Sequence, residues 1–440
     1  MLNRNKINSL KVQELFDMKK IINEAKELNK KYNFFVTINE KAIKGIPIAV
    51  KDNICTKGIL TTAGSKILHN YYPVFNATVI EKLKGCSVIG KTTMDEFGFG
   101  TFSINSAYGI PKNPHDLTRS CGGSSGGSAG YIAASKYSKF AIGQSTGGSI
   151  TCPAAFCGVV GLTPTYGLVS RYGLIDFANS LDKIGVLAKT VDDASSCLKM
   201  IAGYDQKDST SVDVKLKTKT TKNLKIGIPK EYFEHTDKKI VEKIFKLLDD
   251  SGIKYQEVSL PHTKYAVSAY YIIALCEAST NLAKFCGLRY GLSSNPEGKG
   301  FNEYFTEIRS KGFGEEAKRR ILLGTYARMA GYRDQYYLKA MKVRTLIIKD
   351  FKKAFKKVDI LVAPSMPTIA PKFTEIKKLT PLQHYAYDIL TVAPNLAGIP
   401  QLSVPIGTMD KMPIGLQLLS DHFREDYILS FGKEVERWKK

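Results

Sequence analysis

From residue 140 to residue 170 the chain runs through 31 residues without one Asp, Glu, Lys or Arg, although 24% of the whole sequence is charged. Charged side chains are almost never fully buried without a partner, so a long run that lacks them reads as chain meant for the interior. The run is too rich in Gly, Ser, Thr and Pro to be a membrane span. At its centre lies Gln144-Ser145-Thr146-Gly147-Gly148-Ser149-Ile150-Thr151-Cys152-Pro153, and a second cluster, Gly122-Gly123-Ser124-Ser125-Gly126-Gly127-Ser128, precedes it. Gly/Ser runs are most often flexible linkers. A linker would not sit among Ile142, Ile150, Ala154, Ala155, Phe156, Val159, Val160 and Leu162. Glycines in a buried segment imply positive φ or close backbone approach. Crowded turns around a serine are what an oxyanion-binding loop requires. Further upstream, Lys51 ends the apolar run Ile46-Pro47-Ile48-Ala49-Val50. A lysine at the end of a buried strand, with two serine-bearing loops, supplies a base and a nucleophile.

The rest of the composition narrows the class. The chain has 440 residues, 43% hydrophobic and 10% aromatic, which is a folded protein with a large core. Length alone allows two or three domains. A formal charge of +23 raises nucleic acid or a membrane surface as a partner, but the lysines are spread along the chain and a solvated basic surface accounts for them. None of the eight cysteines forms a C-x-x-C pair or a Cys/His cluster, so they read as reduced thiols. No charged start followed by an apolar core opens the sequence, and a cytoplasmic protein is expected.

Helical periodicity covers residues 9–32, 263–286 and 314–356, and a helix ends over 78–83. Residues 46–51, 87–90, 139–143, 224–229 and 359–364 read as short buried strands, and 129–134 as helix. This alternation predicts an α/β layered fold. Residues 205–224 are polar enough to be an exposed loop, but a strand pattern resumes after them.

Two motif matches fail on context. Residues 85–92 (GCSVIGKT) fit the phosphate-loop pattern letter for letter, yet their middle positions are strand-like, which would tie up the amides meant to cradle phosphate. The nucleophile-elbow pattern G-x-S-x-G occurs twice in the run 122–130. Overlapping hits are what such composition produces by chance, and neither His262, His384 nor His422 lies in a catalytic setting.

Residues 45–53 (GIPIAVKDN), 90–97 (GKTTMDEF), 122–129 (GGSSGGSA), 146–150 (TGGSI) and 158–167 (GVVGLTPTYG) together resemble the amidase signature family. Residues 166–197, 277–291, 312–324 and 385–405 are similar to its branch that forms the A subunits of tRNA-dependent amidotransferases, and the likeness runs from about residue 40 to the end. The resemblance implies one amidase domain over 1–440, with its signature core at about 45–200 and a mixed central sheet covered by helices on both faces.

It also implies a Ser-Ser-Lys triad, with Ser149 as nucleophile, Ser124 as bridging serine and Lys51 as base. The interval to Ser149 is one residue longer than in most relatives, which leaves Ser125 as rival for the bridging role. Backbone amides of Thr146, Gly147, Gly148 and Ser149 would bind the oxyanion. Arg320 and Asp388 would clamp the α-carboxylate and α-amino group of free glutamine, opposite charges for a zwitterion. Taken alone, an arginine on a helix face in a basic cluster is usually solvated. Ammonia from glutamine would pass to partner subunits B and C, which convert Glu-tRNA(Gln), or Asp-tRNA(Asn), with ATP and Mg²⁺ held on the partner. This chain itself is expected to carry no metal or cofactor.

Many family members have Asp four residues before the nucleophile and Arg two after it, whereas Ser145 and Thr151 stand there here. Losing one partner of a buried ion pair costs about 3–5 kcal/mol, but replacing both can be nearly neutral. The paired change therefore predicts a re-packed, intact loop, in a spelling the resemblance associates with archaeal members. The alternatives to the glutamine reading are a free-standing amidase of another small amide and a non-catalytic nucleic-acid scaffold.

Overall fold

The computed structural model describes residues 17–42, 44–217 and 223–438. Residues 9–16 and 218–222 of the expected helix and loop lie outside them.

Eleven strands form one sheet: β1 (Phe35–Ile38), β2 (Ile46–Lys51), β3 (Cys86–Thr92), β4 (Phe140–Ser145), β5 (Val160–Thr163), β6 (Lys183–Ala188), β7 (Ile226–Pro229), β8 (Tyr255–Val258), β9 (Ile360–Pro364), β10 (Gln401–Met409) and β11 (Met412–Ser420). Their spatial order is β1-β3-β2-β4-β6-β5-β10-β11-β9-β7-β8. β2 runs parallel to both β3 and β4, and β7 parallel to β8 and β9, while the other pairings are antiparallel. The fold is therefore α/β with a mixed sheet.

Alternation along each strand sends side chains to two cores. On β9, Ile360 and Val362 join one core while Leu361 and Ala363 join the other. Helices Val191–Ile201, Lys238–Asp250 and Glu425–Trp438 cover the first face. On the other face lie Gly126–Ala134, Thr151–Cys157 and the long apolar helix Ala266–Asn281. The helix expected over 9–32 is seen from Met18 to Tyr32, with Asp17 as its N-cap.

Two expectations need correction. The stretch 314–356 is not one helix: Glu315–Arg328 stops, and a short π-helical turn at Asp334–Leu338 leads into Lys339–Ala354. Gly331, with φ +86°, takes a left-handed conformation that side-chain-bearing residues rarely adopt, which breaks the run. The helix expected over 263–286 is shorter, Ala266–Asn281, flanked by 3-10 turns. The described part of the loop beginning at 205 is mostly exposed or half-buried, with two anchors: Asp208 is buried against Arg171 at 2.8 Å, and Asp205 accepts from Thr78 and Ser170.

The phosphate-loop match is strand β3. Its Lys91 is wholly buried and donates to the Ile54 carbonyl and to the hydroxyls of Thr56 and Thr61. All eight cysteines are free thiols. Among the described residues no helix is long and apolar enough to cross a membrane.

Candidate active site

Lys51 is the last residue of β2 and Ser145 the last of β4, so two parallel strands deliver their carboxyl ends to one place. Crevices at such ends are where α/β sheets bind ligands. The Lys51 side chain is wholly buried, and its Nζ lies 2.7 Å from Ser124 Oγ, 2.9 Å from the Gln144 carbonyl and 3.1 Å from Gln144 Oε1. Burial lowers the Lys51 pKa to about 7, against the opposing pull of Asp95 and Asp182. Asp52, next in sequence, turns away and accepts from the backbone N–H and hydroxyl of Thr62.

Of the two candidate bridging serines, Ser124 meets Lys51. The Ser125 hydroxyl donates instead to the Gln144 carbonyl at 3.2 Å. A Cβ on Gly123 would overlap the Asp95 carboxylate and the Ser103 amide, so only glycine lets the chain pass there and present Ser124.

Ser149 lies between β4 and helix Thr151–Cys157 and is 7% exposed, whereas Lys51 and Ser124 are 0% exposed. Its hydroxyl has no hydrogen-bond partner among the described residues. The backbone N–H groups of Gly147, Gly148 and Ser149 likewise donate to no protein acceptor among the described residues. Buried amides normally find an acceptor, so three free ones side by side mark a place for an oxygen from outside the chain.

The loop keeps its shape without an ion pair. Ser145 Oγ donates to the Gly147 carbonyl at 2.9 Å, and Thr151 Oγ1 to Gln401 Oε1 at 3.4 Å. Gln417 donates to the same Gln401 oxygen, Gln401 donates to Asn395, and Asn395 donates to the carbonyls of Thr146 and Leu181. A chain of neutral amides thus occupies the region of the missing charges. Thr146 Oγ1 also donates to buried Asp182 at 2.6 Å. Burial pushes the Asp182 pKa up to about 7, while the Thr146 hydroxyl and the Phe177 and Ala178 amides oppose that shift.

Arg320 and Asp388 are both buried, at 3% and 7% exposure, which rules out a solvated Arg320. Arg320 pairs with Glu316 at 2.8 Å and lies 5.1–5.7 Å from the ring centroids of Phe99, Phe177, Tyr271 and Tyr385. Burial opposes its charge, but Glu316 and the phenolic rings outweigh burial, so its pKa sits above the ordinary value. Asp388 accepts from Tyr271 at 2.6 Å and from Thr101 at 3.2 Å, and burial raises its pKa to about 6. A cavity of about 380 Å³ opens beside Arg320, lined in part by Thr101, Phe102, Glu316 and Tyr385. This end adjoins the serine loop: a Cβ on Gly148 would overlap Thr391, whose hydroxyl donates to the Asp388 carbonyl.

Sequence reasoning missed Asp182, Tyr271, Gln144 and Asn395. For Asp182, a lone acid before the buried strand β6, and for Tyr271, a phenol in an apolar helix, the signal was a polar group in apolar surroundings. Among the described residues no group of three or more His, Cys, Asp or Glu side chains could hold a metal ion.

The model of the Amidase family matches residues 4–429. The A subunit of the glutamyl-tRNA(Gln) amidotransferase from Methanosarcina barkeri is 50% identical over 433 residues, covering 92% of this chain and 90% of the relative. The corresponding A subunit from Carboxydothermus hydrogenoformans is 51% identical, covering 90% and 83%. Among solved structures, the A subunit of the glutamyl-tRNA(Gln) amidotransferase from Thermotoga maritima superposes with a TM-score of 0.81 at 38% identity, covering 95% of this chain and 90% of that one. The peptide amidase of Stenotrophomonas maltophilia does so with 0.73 at 29% identity, covering 89% and 82%. With a family model matched over nearly its whole length, and a site of buried lysine, paired serines and free amides, this chain belongs to the amidase family.

Proposed function

We propose that this chain is the glutamine-hydrolysing subunit of a tRNA-dependent amidotransferase, releasing ammonia for conversion of Glu-tRNA(Gln) to Gln-tRNA(Gln). The observation that carries the chemistry is the 2.7 Å contact between a wholly buried lysine amine and the Ser124 hydroxyl, next to three unpaired loop amides. Its place in such a complex rests on the relatives of about 50% identity.

A serine hydroxyl is a weak nucleophile until a base takes its proton. In this reading Ser149 Oγ attacks the side-chain amide carbon of glutamine. Its proton passes to Ser124 Oγ, and the Ser124 proton passes to neutral Lys51 Nζ. The amides of Gly147, Gly148 and Ser149, with that of Thr146, receive the developing oxyanion. One such donor is worth about 3 kcal/mol of transition-state stabilisation. The proton returns through Ser124 to the departing nitrogen, ammonia leaves, and water hydrolyses the acyl-serine by the same relay. Arg320 takes the α-carboxylate and Asp388 the α-amino group. Arg320 is already paired with Glu316, and Asp388 already accepts from the Tyr271 and Thr101 hydroxyls, so the clamp is preformed.

Subunits B and C and the misacylated tRNA are the proposed partners, with ATP and Mg²⁺ on the partner side and the complex in the cytoplasm. The test is Ser149→Ala in the chain co-purified with its partners. Ammonia release from glutamine should fall to background, and release at the wild-type rate sinks the mechanism.

A further inference from the structure

Gln144 has no part in the relay just described, yet its side chain joins the base to the oxyanion loop. It is wholly buried, and its amide makes four hydrogen bonds, the full capacity of the group. Oε1 accepts from Lys51 Nζ at 3.1 Å and from Asn53 Nδ2 at 3.2 Å. Nε2 donates to Asp182 Oδ1 at 2.9 Å and to Thr146 Oγ1 at 2.6 Å. The orientation of the amide is fixed by its surroundings. The other three partners of Asp182 are the Thr146 hydroxyl and the Phe177 and Ala178 amides, all donors. Asp182 is therefore an acceptor, so the nitrogen faces it and the oxygen faces the amine.

We infer that Gln144 is a positioning residue that aims the lone pair of Lys51 at Ser124, an inference that rests on reading Lys51 as the base. A neutral amine has two N–H bonds and one lone pair. Among the described residues Lys51 Nζ has three hydrogen-bond neighbours: the Gln144 carbonyl, Gln144 Oε1 and Ser124 Oγ. The first two are carbonyl oxygens that can only accept, so both N–H bonds go to Gln144. The lone pair is left with Ser124, the only neighbour that can donate. Without Oε1, one N–H is free to turn toward Ser124 Oγ and compete for the direction the proton must travel. The same amide reaches Thr146 directly and through Asp182, so base and oxyanion loop are held by one side chain. The charged groups acting on Lys51 are Asp95 and Asp182, and both stay in place when Gln144 is replaced.

The test uses the complex as isolated from cells, with Gln144→Met, which keeps the volume but removes the acceptor, and Gln144→Asn, which keeps the amide but draws it back by one methylene. Both should lower kcat for ammonia release, about 10- to 100-fold for Met, with KM for glutamine unchanged. The acid limb of the pH profile should move to lower pH in both, because the amine loses an acceptor that favours its ammonium form. A fall in kcat that tracks lost thermal stability, with the limb unmoved, overturns the inference and leaves Gln144 a structural amide. Wild-type kcat in either folded variant overturns it too. If Gln144→Met does not fold, Gln144→Asn decides by the same shift. Ser149→Ala run alongside separates the two ideas: retained ammonia release there defeats the proposed function, whatever Gln144 does.

Discussion

Lys51 and Lys91 stand on adjacent parallel strands, Val50 opposite Lys91 and Lys51 opposite Thr92, and both are wholly buried. Burial lowers both, Lys51 to about 7 and Lys91 to about 8. What separates them is the hydroxyls they meet. Thr56 and Thr61, beside Lys91, already donate their protons to the carbonyls of Ile54 and Ile59. Ser124, beside Lys51, has no hydrogen-bond partner but Lys51 among the described residues. Lys91 also has Asp52 as the charge that most favours its ammonium form. Desolvation alone therefore makes a lysine easier to deprotonate, and in the proposed mechanism an uncommitted hydroxyl is what lets it serve as a base for a second group.

Replacing each lysine by methionine gives the largest test of that difference. Lys51→Met should lower ammonia release by about 10²- to 10⁴-fold, the range for losing a general base, while the folded protein survives. Lys91→Met should leave kcat near wild type and instead destabilise the fold, by about 3–5 kcal/mol if Asp52 is stranded as a buried charge. Urea denaturation and a glutamine assay on the same preparations check both. Equal loss of activity in the two would collapse the distinction.

The pH dependence sharpens it with smaller effects. Protonated Lys51 cannot accept a proton, so the rate should rise with pH to a plateau above about 7, falling about tenfold per unit below. Lys91 should leave its mark on stability and none on the rate. Its folded pKa, about 8, lies below that of an unfolded lysine, about 10.4, so between those values the unfolded chain binds more protons. The Lys91 contribution to stability should therefore gain with rising pH across that window, and Lys91→Met should lose that part of the slope. Urea midpoints at pH 8 and pH 10 measure it.

What the sequence made legible follows the same division between local and long-range causes. Lys51 and the serine loop announce themselves locally, through an apolar run ending in a cation and a window free of charge. The choice between Ser124 and Ser125 could not be read, because adjacent residues differ only in where the backbone turn aims them. Gln144 and Asp182 meet because β4 pairs antiparallel with β6, setting Gln144 opposite Ile184 and Ser145 opposite Lys183. No local pattern encodes that register. Arg320 was hidden differently: its helix has charges on every side, and only the ring of Phe99, Phe177, Tyr271 and Tyr385, drawn from other segments of the chain, makes it a buried cation.

The smallest expected effect comes from Thr151, where many relatives of this family carry arginine. An arginine paired to an aspartate there could not be removed alone without stranding a buried charge. Among the described residues the Thr151 hydroxyl is bound only through a 3.4 Å hydrogen bond to Gln401 Oε1, and Gln417 donates to the same oxygen at 3.1 Å. Thr151→Val keeps the shape and leaves Gln401 with a partner, so the loss is at most about 1 kcal/mol. Ammonia release should stay at the wild-type rate, because the loop is held by Asn395 on the Thr146 carbonyl and by Ser145 on the Gly147 carbonyl, neither of which involves Thr151. A large fall in kcat for Thr151→Val would mean that the neutral network transmits strain to the loop amides as an ion pair would.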